Sequence, residues 1–340
     1  MRGAVRSGLP QTRNEREEDA MTEGKEKFMW ALLLHLGYRM WGDDKRGTVL
    51  PDRLFCDDST WRSVVDRMAE AKLNTVVVDV GEGVILPSHP ELAVKGSWTP
   101  EKMQKEIARM RDLGIEAVPK LNFSTLHDAW LGEYQYVVST PEYYRVCADV
   151  IRDVAEIFGR PRLFHIGMDE ESDQGMQLRR DNVIMRQGEL FWHDVNFYAD
   201  EVEKHGGRAW MFGDEAWFHR DLFFRNFPKR ILLSNWYYGR SFSQAEAKWH
   251  PPRIKSYAEF DAAGFDQVPC ATNWYPDFLY KSKGVRANDV NFPLTVAHCR
   301  QTVAPERLKG FLMTTWAKTL PENLDFILHA IDLVAQSMII

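Results

Sequence analysis

Two carboxylates stand side by side at Asp169-Glu170, just beyond the apolar run Leu163–Ile166 and the dipeptide Gly167-Met168. Successive strand residues face opposite sides, so both acids serve one pocket only where the backbone is already turning. An acid pair at a turning strand end suits general acid–base chemistry, in which one group gives a proton and the other orients or stabilises the reacting centre. A helix N-terminus decorated with acids would have the same composition, since the macrodipole favours negative charge there. Chemistry is favoured because the pair closes the fourth of eight strand-like runs.

The ends of the other runs supply more polar and aromatic groups. Arg39, Asp79, Glu82, Asn122 and His127 come from the first three, and His165 lies on the same run as the acid pair. Asp214-Glu215, Asn235-Trp236-Tyr237, Asn273-Trp274-Tyr275 with Asp277, and Trp316 come from the last four. Acids and amides bond hydroxyls and indoles stack on C–H faces, so this set predicts an oligosaccharide or glycoconjugate ligand. Each Trp taken alone could as well be core packing. Hydrolysis of a glycoside usually takes two carboxyl groups flanking the bond. The seventh run offers no glutamate as nucleophile. Substrate assistance, with the sugar's own 2-acetamido oxygen attacking the anomeric carbon, needs one acid on the leaving oxygen and one carboxylate to orient the acetamido N–H. The Asp169-Glu170 pair meets that need.

These residues need a scaffold, and the chain alternates strand and helix patterns eight times from Phe28. Strands are expected at Met29–Leu36, Asn74–Val80, Ile115–Phe123, Leu163–Gly167, Arg208–Phe212, Ile231–Ser234, Gln267–Thr272 and Gly310–Thr315. The second is nearly all β-branched, as a strand covered on both faces should be. Thr99-Pro100-Glu101 and Thr140-Pro141-Glu142 read as helix starts, with a cap followed by a first-turn proline. Regular alternation forces parallel strands and right-handed crossovers, so the expected fold is α/β, a single-domain (β/α)8 TIM barrel. Long links follow the strands (80–98, 171–186, 239–252, 276–289) and short ones precede them, which builds an active face at the strands' C-terminal ends.

The barrel is expected over residues 28–340 and a disordered tail over 1–27, where Thr12–Asp19 is polar and charged and no apolar signal core stands. A net charge of −6 gives no reason to expect nucleic acid or a membrane surface as partner. No stretch approaches the ~18 apolar residues of a membrane helix, and a cytoplasmic location is expected. Cys56, Cys147, Cys270 and Cys299 are scattered without CxxC or zinc spacing, and buried free thiols are expected. No cofactor and no resident metal are expected. Oligomeric state is not legible.

His165-Ile166-Gly167-Met168-Asp169-Glu170 resembles the fourth-strand motif His-x-Gly-Gly-Asp-Glu of glycoside hydrolase family 20, the β-N-acetylhexosaminidases, with Met168 in place of the second glycine. The resemblance implies that Glu170 is the general acid/base and Asp169 the acetamido-orienting carboxylate. It likewise implies that Tyr275 bonds the acetamido oxygen, that Asp277 and Arg39 hold ring hydroxyls, and that Trp236 and Trp316 are the tryptophans of strands six and eight. The chain departs from the family at Trp316-Ala317-Lys318, where Trp-x-Glu is usual, at Pro119-Lys120-Leu121-Asn122, where Pro-Glu-x-Asp is usual, and at Gly213, where a tryptophan precedes the strand-five acids unless Trp217 substitutes. The expected activity is that of an exo-acting, retaining β-N-acetylhexosaminidase.

Three other readings fit the same residues. One is a glycosidase for a non-acetamido sugar, with Asp214 or Glu215 activating water. Another is a metal-dependent sugar isomerase or epimerase, with His165, Asp169, Asp214 and Glu215 as ligands. The third is an inert glycan-binding barrel.

Overall fold

The computed structural model describes residues 27–38, 51–171, 186–243, 251–274 and 288–340. Eight parallel strands follow one another: β1 (Met29–His35), β2 (Thr75–Asp79), β3 (Glu116–Lys120), β4 (Leu163–Gly167), β5 (Arg208–Phe212), β6 (Leu232–Ser234), β7 (Cys270–Thr272) and β8 (Gly310–Thr314). They pair in the order β6-β5-β4-β3-β2-β1-β8-β7. Bridges Leu233↔Gln267 and Trp236↔Cys270 join the two end strands and close the ring. The fold is the expected (β/α)8 barrel. Residues 1–26 of the expected tail lie outside the described residues.

The main helices are α1 (Asp58–Glu70), α2 (Pro100–Asp112), α3 (Pro141–Ile157), α4 (Glu189–Lys204), α5 (Glu215–Phe218), α6 (Arg220–Asn226), α7 (Pro251–Ala262), α8 (Asn291–Thr302) and α9 (Leu324–Ser337). Thr99 and Thr140 accept from Lys102 and Tyr143 backbone N–H groups, so both threonine-proline starts act as caps. Six of the strands are shorter than their expected runs, and β4 and β5 match theirs. β7 begins at Cys270 rather than Gln267, because Pro269 can donate no ladder bond. The four-residue helix α5, directly after the strand-five acids, has no sequence signal long enough to read.

Strand alternation divides the core in two. Leu32, Leu34, Val76 and Val78 face the helices, whereas Ala31, Leu33, Val77, Val118, Leu163, Trp210 and Leu232 fill the barrel. The next inward position on each of the first four strands is polar. Register aligns His35 with Asp79, Asp79 with Lys120 and Lys120 with His165. One level of the barrel thus changes from hydrocarbon to four ionisable side chains as the strands reach their C-terminal ends.

Candidate active site

At the end of β4 three of four successive residues show how the acid pair is turned: Gly167, Met168 and Glu170 have positive φ (75°, 69° and 62°). This is the left-handed region that non-glycine residues occupy only where surrounding structure holds them, and such strain gathers at functional sites. Gly167 has a second reason to lack a side chain, since a Cβ there would lie 1.9 Å from Asn122 Oδ1. The Asn122 amide fills that space. Its Oδ1 accepts from Ser124 N–H (3.1 Å) and Met168 N–H (3.3 Å), and its Nδ2 donates to Asp169 Oδ1 (2.8 Å). Ser124 Oγ donates to the Asp169 carbonyl. Met168 therefore occupies a backbone conformation better suited to glycine, which is where the chain departs from the His-x-Gly-Gly-Asp-Glu pattern.

Glu170 and Asp169 share a histidine. His127 Nε2 lies 3.0 Å from Glu170 Oε2 and 3.5 Å from Asp169 Oδ2. Burial opposes charge on this imidazole, but the Asp169 and Glu170 carboxylates outweigh it and hold its pKa up at about 9. Asp214 joins from β5, its Oδ2 accepting the Glu170 backbone N–H at 2.8 Å. Its other oxygen is buried without a hydrogen-bond partner among the described residues. Burial, and then the Asp169 charge, push the Asp214 carboxyl up to about 8. Protons near the doublet thus reside on His127 and Asp214 at neutral pH.

The remaining expected site residues fall into three groups. His165 is buried below the doublet, its Nδ1 accepting Gly167 N–H at 3.0 Å and its ring against Trp210 and Phe212. Burial and the Lys120 charge push its pKa well down, so it is a neutral strut. Glu215 opens α5 and pairs with His219 at 2.7 Å. Trp316, also at positive φ (50°), lines the pocket together with Asp79, Lys120, Asn122, His127 and Asp169. Trp236 stacks on Tyr238 (4.9 Å) and meets Trp217 edge-on (4.6 Å), so the indole missing at Gly213 does enter the cluster from α5. Trp274 is exposed at the rim. Arg39, Tyr275 and Asp277 lie outside the described residues.

Three residues at the site had no assigned role in the sequence. His127 stood in the strand-end set with no role assigned, and Lys120 counted only as a departure from the family pattern. Arg253, on α7, places its guanidinium 4.2 Å from the Trp217 ring and 4.4 Å from the Trp236 ring. Burial lowers its pKa, while the Asp214 and Glu170 charges oppose that change. Nothing in the sequence around Pro251-Pro252 points to this placement. Among the described residues no three His, Cys, Asp or Glu side chains converge as metal ligands. No described helix is long and apolar enough to cross a membrane.

No family model matches the sequence, and no curated protein matches it. Solved structures do match. Vibrio harveyi GH20 exo-β-N-acetylglucosaminidase superposes with a TM-score of 0.57 at 13% identity, over 92% of this chain and 54% of that one. Flavobacterium johnsoniae chitobiase gives 0.62 at 17%, over 91% and 48%. The GH20 β-N-acetylhexosaminidase of Streptomyces coelicolor gives 0.60 at 16%, over 91% and 64%. The fold is a GH20-like barrel. The chain spans about half the length of the first two.

Proposed function

We propose that this protein is a glycoside hydrolase acting on terminal N-acetylhexosamine residues with retention, the 2-acetamido group of the substrate serving as nucleophile. The observation that carries the reading is the Asp169-Glu170 doublet, turned into the mouth of a GH20-like barrel and held from three sides by Asn122, His127 and Asp214. Glu170 relays a proton from His127, 3.0 Å away, to the glycosidic oxygen as the acetamido oxygen closes on the anomeric carbon and the aglycone departs. Asp169, fixed by Asn122, accepts the acetamido N–H and steadies the positive charge that develops on that group. Glu170, now a carboxylate, then takes a proton from the water that opens the cyclic intermediate on the same face. His127 sits beside Glu170 throughout and compensates its change of charge. Tyr275, Asp277 and Arg39 are assigned to the acetamido oxygen and ring hydroxyls by family resemblance.

A water-activating base on β5 is less favoured. Asp214, held up at about 8, is protonated at neutral pH, and Glu215 is engaged by His219. The test is Glu170→Gln assayed on an unactivated glycoside. A loss of about 10²–10⁴ in kcat is expected for removal of a general acid. Full activity in that variant would refute the assignment.

A further inference from the structure

Below the acid pair the pocket ends on a polar floor that the hydrolysis just described leaves without a task. Lys120 Nζ is 2.6 Å from Asp79 Oδ2, and His35 Nδ1 is 3.4 Å from the same oxygen. Burial opposes the charge on Asp79, but Lys120 outweighs it and the carboxyl stays well below its usual range. Both members of the Lys120–Asp79 pair line the pocket, alongside Asn122, Asp169 and Trp316.

Packing does not require this pair. One level lower the same four strands fill the barrel with Leu33, Val77, Val118 and Leu163. A buried ion pair is seldom more stabilising than apolar side chains of equal volume, because desolvation offsets the attraction. Its position is informative: the ionisable row begins at the level that opens onto the pocket. The Lys120 ammonium gives one of its three N–H donors to Asp79 and makes no other hydrogen bond among the described residues.

Resting on the proposed function, we propose that Lys120 and Asp79 form a donor–acceptor pair that reads two adjacent ring hydroxyls of the bound sugar. The ammonium donates to one hydroxyl oxygen and the carboxylate accepts the O–H of its neighbour. Lys120 and Asp79 offset each other's charge, so the edge of the ring that they read is uncharged. Lys120 is then a specificity-determining residue.

The test is calorimetric binding of N-acetylglucosamine, N-acetylgalactosamine and the 3-, 4- and 6-deoxy analogues of the former to wild type, Lys120→Met and Lys120→Gln. Wild type should bind two analogues lacking neighbouring hydroxyls at least tenfold more weakly than the parent sugar. In Lys120→Met the parent should weaken to match the analogue that lacks the hydroxyl facing the ammonium, so that this discrimination vanishes. Lys120→Gln, which keeps a donor in a polar cavity, should restore part of it. Equal weakening for every sugar in both variants, or wild-type binding indifferent to all three deletions, overturns the inference. Discrimination without any glycoside turnover would uphold this reading while refuting the hydrolase.

Discussion

The two halves of the barrel mouth are built from different chemistry. On the β1–β4 side the inward positions are His35, Asp79, Lys120 and His165, with Asn122, His127 and the acid doublet above them. On the β5–β8 side Trp210 and Phe212 of β5 point inward, with Trp236, Tyr238 and Trp316 packed over the apolar interior. The first half holds most of the fixed charges, and the second most of the ring surfaces. A sugar needs both, since its hydroxyls lie around the ring edge and its C–H bonds lie on the faces. Asp214 bridges the halves, reaching from the end of β5 to the Glu170 backbone.

The largest effects should come from the polar half. Glu170→Gln should cost about 10²–10⁴ in kcat while leaving the melting temperature near that of wild type; a variant that is inactive because it is unfolded would show instead that the residue is structural. Next comes a buried ion pair beyond β4. Glu171 and Arg186 bracket residues 172–185 and meet as a buried ion pair, with Glu171 also accepting from Thr125 N–H at 2.9 Å. Glu171→Ala leaves Asp194 as the remaining carboxylate partner of Arg186 and the Thr125 N–H unpaired, and a loss of about 1–3 kcal/mol in denaturant unfolding is expected. Unchanged stability would mean the pair is not desolvated. On the aromatic half, Trp316→Ala should raise KM by about fivefold with little change in kcat, consistent with ~1 kcal/mol of ring contact. A collapse of kcat instead would place Trp316 in the chemistry and blur the division between the halves.

The smallest expected effect is on pH dependence of stability. Asp214 titrates above its ordinary 3.8, at about 8, so the folded form holds a proton that the unfolded form has released, and stability falls as pH rises between those values. His127 is raised from 6.5 to about 9, and its stabilising contribution is present below 6.5 and lost as pH climbs through 9. Both act in the same direction between pH 6.5 and 8. The unfolding midpoint should therefore decline by roughly a few degrees from pH 6.5 to 9. Asp214→Asn should flatten the lower part of that decline and His127→Gln the upper part.

The fold was legible because hydrophobic alternation repeats eight times and each unit carries its own stops. Gly114 ends α2, the threonine-proline starts are capped as expected, and β4 and β5 run as expected. The doublet was legible too, since two acids after a strand and a glycine are a local pattern. The residues that hold the doublet were harder to see. Asn122 reaches Asp169 across 47 positions and His127 reaches Glu170 across 43, and neither distance leaves a trace in local spacing. Arg253 required knowing where α7 packs, and Lys120 required the register of β2 and β3. The β4 glycine could be read as a turn, but not as the space that Asn122 fills.

The most direct test of the central claim is hydrolysis of two aryl β-glycosides that differ only at C2, one 2-acetamido and one 2-hydroxyl, by wild type and Asp169→Asn. The account predicts turnover of the acetamido substrate alone, strongly reduced by Asp169→Asn. Turnover of the hydroxyl substrate that Asp169→Asn leaves unchanged would contradict it, and would move the second carboxylate away from the β4 doublet.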